Sequence, residues 1–217
     1  MLASPLFSPF AACLPVDPQS SVPPIPTGIQ ELDERIGGGI PRAALSEIIG
    51  GPSSGRSTFV TAIFRQAMRQ GEWCSLVDVQ DSFDPESAAA AGLQLPYLLW
   101  VRCSGDGERA VQAADILIQG GGFGVVVLDF GDLAESARRR IPLTAWRRLR
   151  HGAEHSGVAF LVVSAGDSGA SCSRVRLYLE RKHEFWTNNL LRGMAIGAEI
   201  QKPYRGAAIS FQAFRKV

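Results

Sequence analysis

Glu47-Ile48-Ile49-Gly50-Gly51-Pro52-Ser53-Ser54-Gly55-Arg56-Ser57-Thr58 is the stretch of this chain whose residue types and spacing can do chemistry. An apolar run enters a glycine-rich turn, hydroxyls follow, and the segment Phe59 to Gln70 reads as helix. Serial backbone N–H groups at a helix N-terminus cradle an anion whatever the side chains are. The pattern is that of a phosphate-binding loop, with Arg56 where a lysine is expected before the hydroxyl pair. Gly50, Gly51, Ser53, Ser54, Gly55, Arg56, Ser57 and Thr58 are therefore the candidate nucleotide-binding residues. A lysine ammonium is a compact charge that fits between β- and γ-phosphates, whereas a guanidinium is wider, planar and differently hydrated. Two dispositions of Arg56 stay open: a phosphate held in a changed position, or an outward fold that leaves the loop empty.

A second candidate is a carboxylate. Val125-Val126-Val127-Leu128-Asp129 is four apolar residues ending in an acid, two strand–helix units after the loop. The C-terminal end of such a strand is where an acid holds Mg²⁺ through water. Ser57 and Asp129 are the metal candidates for a bound Mg–ATP.

The elements that must position these residues alternate. Strands are expected at Leu45–Ile49, Trp73–Val79, Leu98–Cys103, Val125–Phe130 and Val158–Ser164. Helices are expected at Ser57–Gln70, Pro85–Ala91, Glu108–Gln119 and Leu143–His155, with Thr27 capping an earlier one over Ile29–Ile36. This is an α/β fold, a mostly parallel twisted sheet covered by helices on both faces. Arg174–Arg181, Met194–Lys202 and Ala208–Phe214 read as strands without helices between them, an antiparallel extension at one edge. Residues 1–26 hold seven prolines and read as an extended or disordered arm, in which Phe7 and Phe10 either dock elsewhere or pack locally; 27–217 is the core domain.

Bulk properties exclude some functions. At 217 residues one domain is expected, and a net charge of +1 provides no global field toward nucleic acid or membrane. The cysteines Cys13, Cys74, Cys103 and Cys172 form no C-x-x-C pair and read as free thiols in a reducing compartment. The start, Met1 to Leu14, lacks basic residues and is broken by Pro5 and Pro9, so it reads as neither secretory signal nor membrane span, and the protein as cytoplasmic. His151, His155 and His183 are not spaced as a metal cluster.

Thr27-Gly28, Leu32-Asp33, Gly37 to Arg42, Glu47-Ile48, Gly50 to Thr58 and Val77 to Pro85 together resemble the core of the RecA recombinases. The resemblance implies a RecA-like core over about Thr27 to Phe214. It implies that Gln80 stands where a glutamate polarises the attacking water; an amide can position water but cannot take its proton. Asp84 matches the contact to the adenine amino group, Ser87 replaces a stacking tyrosine, and Lys202 matches a lysine reaching a neighbour's nucleotide. The connections matching the two DNA-binding loops, Gly131–Pro142 and Ala165–Ser173, are short, and the proline arm stands where the filament-assembly helix would be. Hydrolysis, DNA grip and polymerisation are all altered, a pattern similar to ImuA proteins of the bacterial SOS response. That resemblance implies an accessory role in damage-induced translesion synthesis, beside an ImuB-like inactive Y-family polymerase relative and an error-prone polymerase, with RecA or self as further partners. A working ATPase or recombinase and an ATP-binding, non-hydrolysing switch are the rival readings.

Arg138, Arg139, Arg140, Arg147, Arg148 and Arg150 form a run without acids. It is read as a patch for DNA phosphates or an acidic partner, against a solvated helix face. Leu143, Trp146, Leu149 and Ala153 are expected to turn toward the core. Phe185 and Trp186 read as an interaction knob or as cover for the sheet edge.

Overall fold

The computed structural model describes residues 22–168, 172–202, 206 and 208–214. Phe7, Phe10, Cys13 and most of the proline arm lie outside them. The described end of the arm belongs to the body. Ile25 is fully buried and exchanges two backbone hydrogen bonds with Ile40 (2.9 and 2.7 Å), so packing begins before Thr27.

Along the chain come α1 (Gln30–Arg35), β1 (Ala44–Ile49), α2 (Arg56–Arg69), β2 (Trp73–Asp78), α3 (Pro85–Ala90) and β3 (Leu98–Arg102). Then follow α4 (Gly107–Gly120), β4 (Phe123–Asp129), α5 (Glu135–Arg138), α6 (Leu143–Ser156) and β5 (Ala159–Ser164), with β6 (Val175–Thr187), β7 (Leu190–Lys202) and β8 (Ile209–Phe214) last. Thr27 does not cap α1 at its first turn. Its N–H and hydroxyl both donate to Asp33 Oδ1 (2.8 and 2.7 Å), tying the Thr27-Gly28 turn to the helix.

The eight strands form one sheet in the order β3-β2-β4-β5-β1-β6-β7-β8. β1 to β5 are parallel, and the inner four are near-continuously apolar, as burial on both faces demands, while β3 is the more exposed edge. Apolar residues of α1, α2 and α3 pack on one face, and those of α4 and α6 on the other. β6 pairs parallel with β1 through Val175–Tyr178, so the antiparallel extension starts one strand later, at β7. Past Tyr178 the β6–β7 hairpin runs beyond the end of β1. The segment from Arg181 is strand as far as Thr187, and the turn is confined to Asn188 and Asn189 at positive φ (48° and 60°), where asparagine is at home.

α6 buries Trp146, Leu149 and Ala153, with Trp146 edge-on to Phe130 at 6.1 Å. Leu143 departs from the expected stripe. It is the first helical residue, a turn before the layer Trp146 fills, and is 58% exposed. No described helix is long and apolar enough to cross a membrane.

Candidate functional site

The glycine loop leaves β1 with the Gly50 N–H donating to Ser164 O (3.1 Å). A Cβ on Gly50 would meet the Ser54 hydroxyl and lie 2.5 Å from Leu179 O; one on Gly55, at φ +94°, would run into Ile196 Cδ1. The loop is thus threaded tightly under β6 and β7, and side chains at these two glycines would push it out. Gly55 caps α2 without a side-chain acceptor, so the first N–H groups of the helix are left for some other acceptor. Among the described residues the buried Ser54 hydroxyl finds no hydrogen-bond partner, while Ser57 and Thr58 are exposed. The backbone cradle survives.

Its charges have gone elsewhere. Arg56 reaches toward the residues just after β4. Its Nη1 donates to Gly131 O (2.8 Å) and its Nη2 pairs with Asp132 Oδ1 at 2.5 Å. Gln80 meets the same dipeptide: its Oε1 accepts from the Asp132 N–H (2.5 Å). Asp129 closes the group by accepting from the Gly131 N–H (2.7 Å). Burial pushes the Asp129 carboxyl up to about 6, against the lowering effect of that hydrogen bond and of Arg56. Arg56 is therefore not folded outward into solvent. The guanidinium is bound across the sheet edge to the β4–α5 connection.

Other candidates are also committed. Asp84 caps α3, accepting from the Glu86 N–H (3.1 Å) and from the Ser87 hydroxyl, which leaves this carboxylate serving the helix. Lys202 is the last residue of β7, opposite Arg176.

The arginines of the run differ in their surroundings. Arg138 is buried, and its guanidinium donates to the Leu133 and Asp167 carbonyls, so it is a structural tie. Arg139 pairs with Glu135, Arg148 with Asp115 (3.1 Å) and Arg150 with Glu154 (3.2 Å). Only Arg140 and Arg147 are exposed without an ion pair among the described residues. A run free of acids in sequence acquires them from α4 and from its own helical turns.

Sequence reasoning missed a network that holds the next loop. Glu47, fully buried on β1, accepts from the Ser168 and Ser173 hydroxyls (the latter at 2.6 Å) and from Arg176 Nε (2.8 Å). One carboxylate thereby fastens both ends of the connection between β5 and β6. A charged residue inside an apolar strand was the available signal. Its partners, more than 120 positions away, were not legible.

Cys74 and Cys103 are buried and Cys172 is half-buried, all free, and burial pushes the Cys74 thiol up to about 12. His151 and His155 have ring centroids 5.1 Å apart, and no cluster of three or more potential metal ligands exists among the described residues. Phe185 stacks on Phe214 at 5.5 Å, while Trp186 stands 57% exposed with its indole N–H on Glu184 (2.9 Å).

A magnesium nucleotide, which the loop pattern implies, would meet a donor set that is partly engaged. The cradle and the Ser54 hydroxyl suit a phosphate. The one cation of the loop is already paired with Asp132, whereas Asp129, raised to about 6, is still mostly a carboxylate at neutral pH and with Ser57 would hold the metal.

Comparison with known proteins agrees with the topology. The family model described as the RecA N-terminal domain matches residues 13–136. The RecA protein of Marinobacter nauticus is 28% identical over 162 residues, 68% of this chain and 46% of the relative. That of Methylococcus capsulatus is 41% identical over 106 residues (48% and 30%), and that of Teredinibacter turnerae 36% over 110 (50% and 32%). The chain spans less than half the length of each of these relatives.

Proposed function

The chain belongs to the RecA N-terminal domain family, and from that premise we propose that it is a non-hydrolysing accessory factor of damage-induced translesion DNA synthesis, similar to ImuA. One observation carries the reading. The two side chains that should face a nucleotide and its attacking water, Arg56 and Gln80, both bind the Gly131-Asp132 dipeptide. A guanidinium neutralised by a carboxylate and a carboxamide that cannot take a proton are poorly matched to phosphate cleavage. The two connections that would grip single-stranded DNA are short and fastened by Arg56, Arg138 and Glu47. What remains outward is docking surface: Trp186, Leu190 and Phe214 around the hairpin, and Trp73, Tyr97 and Leu99 at the β3 edge. An ImuB-like Y-family polymerase relative is the partner of this reading, with an error-prone polymerase in the same assembly.

The test has two arms. Purified protein should capture the ImuB-like partner, and should release phosphate from Mg–ATP more slowly than about 0.1 per second with single-stranded DNA present. Faster turnover overturns the reading in favour of a working ATPase. A second reading, an ATP-binding switch, draws on the retained cradle and the unpartnered Ser54 hydroxyl. An ATP-dependent rise in melting temperature separates it from the first.

A further inference from the structure

We propose that Arg56 is a built-in counter-ligand of the glycine loop: paired with Asp132, it closes the loop against polyphosphate anions, and Asp132 is the competitor such an anion must displace. The sheet order makes this contact possible. β1 and β4 flank β5, so a side chain from the start of α2 that reaches the residue after β4 must cross the C-terminal edge of the sheet. Arg56 makes that crossing with a two-point fork, one nitrogen on the Gly131 carbonyl and one on the Asp132 carboxylate.

The receiving dipeptide is fixed before the guanidinium arrives. The Gly131 N–H is held by Asp129, the Asp132 N–H by Gln80, and the Gly131 carbonyl also accepts from the Ala165 N–H at 3.1 Å. Gly131 sits at φ +55°, and a Cβ there would collide with Gln80 Oε1, so the turn is shaped to the amide. A fork meeting a prearranged carbonyl–carboxylate pair is the geometry guanidinium favours.

Two features make the contact a latch rather than a permanent rivet. The Asp132 side chain is 50% exposed, so water can replace its half of the pair. The loop also keeps unspent capacity for an anion, namely the buried Ser54 hydroxyl without a partner and the uncapped start of α2. An incoming polyphosphate and Asp132 would compete for one guanidinium. The proposal takes up the closed site of the function proposed above, but its test reads anion binding and amide exchange. It can therefore fail while partner capture succeeds, or stand while partner capture fails.

The probe is sodium tripolyphosphate, followed by calorimetric titration and thermal shift on the full chain. The wild type, Asp132→Ala, and Asp132→Ala combined with Arg56→Ala are compared, each checked for native circular dichroism. Asp132 is half-exposed, so its replacement leaves the fold in place. Asp132→Ala should bind tripolyphosphate at least about tenfold more tightly than the wild type, the scale of one charge-assisted contact. The double variant should lose that gain. Amide exchange at residues 131–134 should quicken in Asp132→Ala without ligand. Equal affinity of wild type and Asp132→Ala, whether both bind or neither does, overturns the proposal. So does a gain over the wild type that persists in the double variant, or exchange at 131–134 that does not change.

Discussion

Two ion pairs stand at the same region of the sheet and differ in one respect, the access of their carboxylates to water. Glu47–Arg176 joins β1 to β6 at 2.7 Å with side chains 1% and 17% exposed, and two serine hydroxyls complete the carboxylate's shell. Arg56–Asp132 joins the glycine loop to the β4–α5 connection at 2.5 Å, with Asp132 half in solvent. The first is a rivet, because either charge left alone would be buried and uncompensated. The second is a latch, because its carboxylate is half in water, which can take over from Asp132 although Arg56 is only 11% exposed. Burial rather than distance decides which pair is structural and which is free to respond.

The largest effect that tests this contrast is expected at Glu47. Glu47→Ala should destabilise the fold by about 3–5 kcal/mol, as removal of one member of a buried pair does, measured by the midpoint of urea unfolding. A loss under about 1 kcal/mol would put both pairs in one class.

Asp129 tests the charge state beside the latch through pH. Its folded carboxyl is raised from 3.8 to about 6, so the native state keeps a proton the unfolded state has released. That group's contribution to stability is present below about pH 4 and is lost as pH rises through about 6, by at most about 3 kcal/mol. Asp129→Asn should lack this component, and the wild-type-minus-variant stability difference should fall across that window. A level difference would place Asp129 in water.

Arg138 sharpens the comparison from the side of hydrogen bonding. Arg138→Ala removes a buried guanidinium from two carbonyls and should cost about 2 kcal/mol, read by thermal melting. If it is as silent as a surface arginine, the run around it is the solvated face that was the rival reading. The smallest change belongs to the latch itself. Arg56→Ala should shift stability by less than about 1 kcal/mol while quickening amide exchange in 131–134. A loss as large as that of Glu47→Ala would make the latch a rivet.

Much of the scaffold was legible in the chain. The apolar runs around Val127 and Leu161 are central strands because only a doubly covered sheet tolerates such continuity. Gly50 and Gly55 mark a loop packed too closely for side chains. The β6–β1 pairing was not legible, since strand direction depends on where the chain re-enters the sheet. The break-up of the arginine run was hidden for a related reason: Arg148 finds its acid on α4 and Arg138 its carbonyls near Leu133 and Asp167.

The sequence by itself determined that a glycine loop follows the first core strand, and that Arg56 and Gln80 stand where the RecA resemblance implies a lysine and a glutamate. Only the tertiary structure decided what those replacements do. Arg56 and Gly131 are 75 positions apart and meet because β5 inserts between β1 and β4. Periodicity and turn chemistry act over a few residues and can be read along a chain. A charge takes its partner from whatever the sheet order brings within about 3 Å, and that order is set by the packing of the whole core.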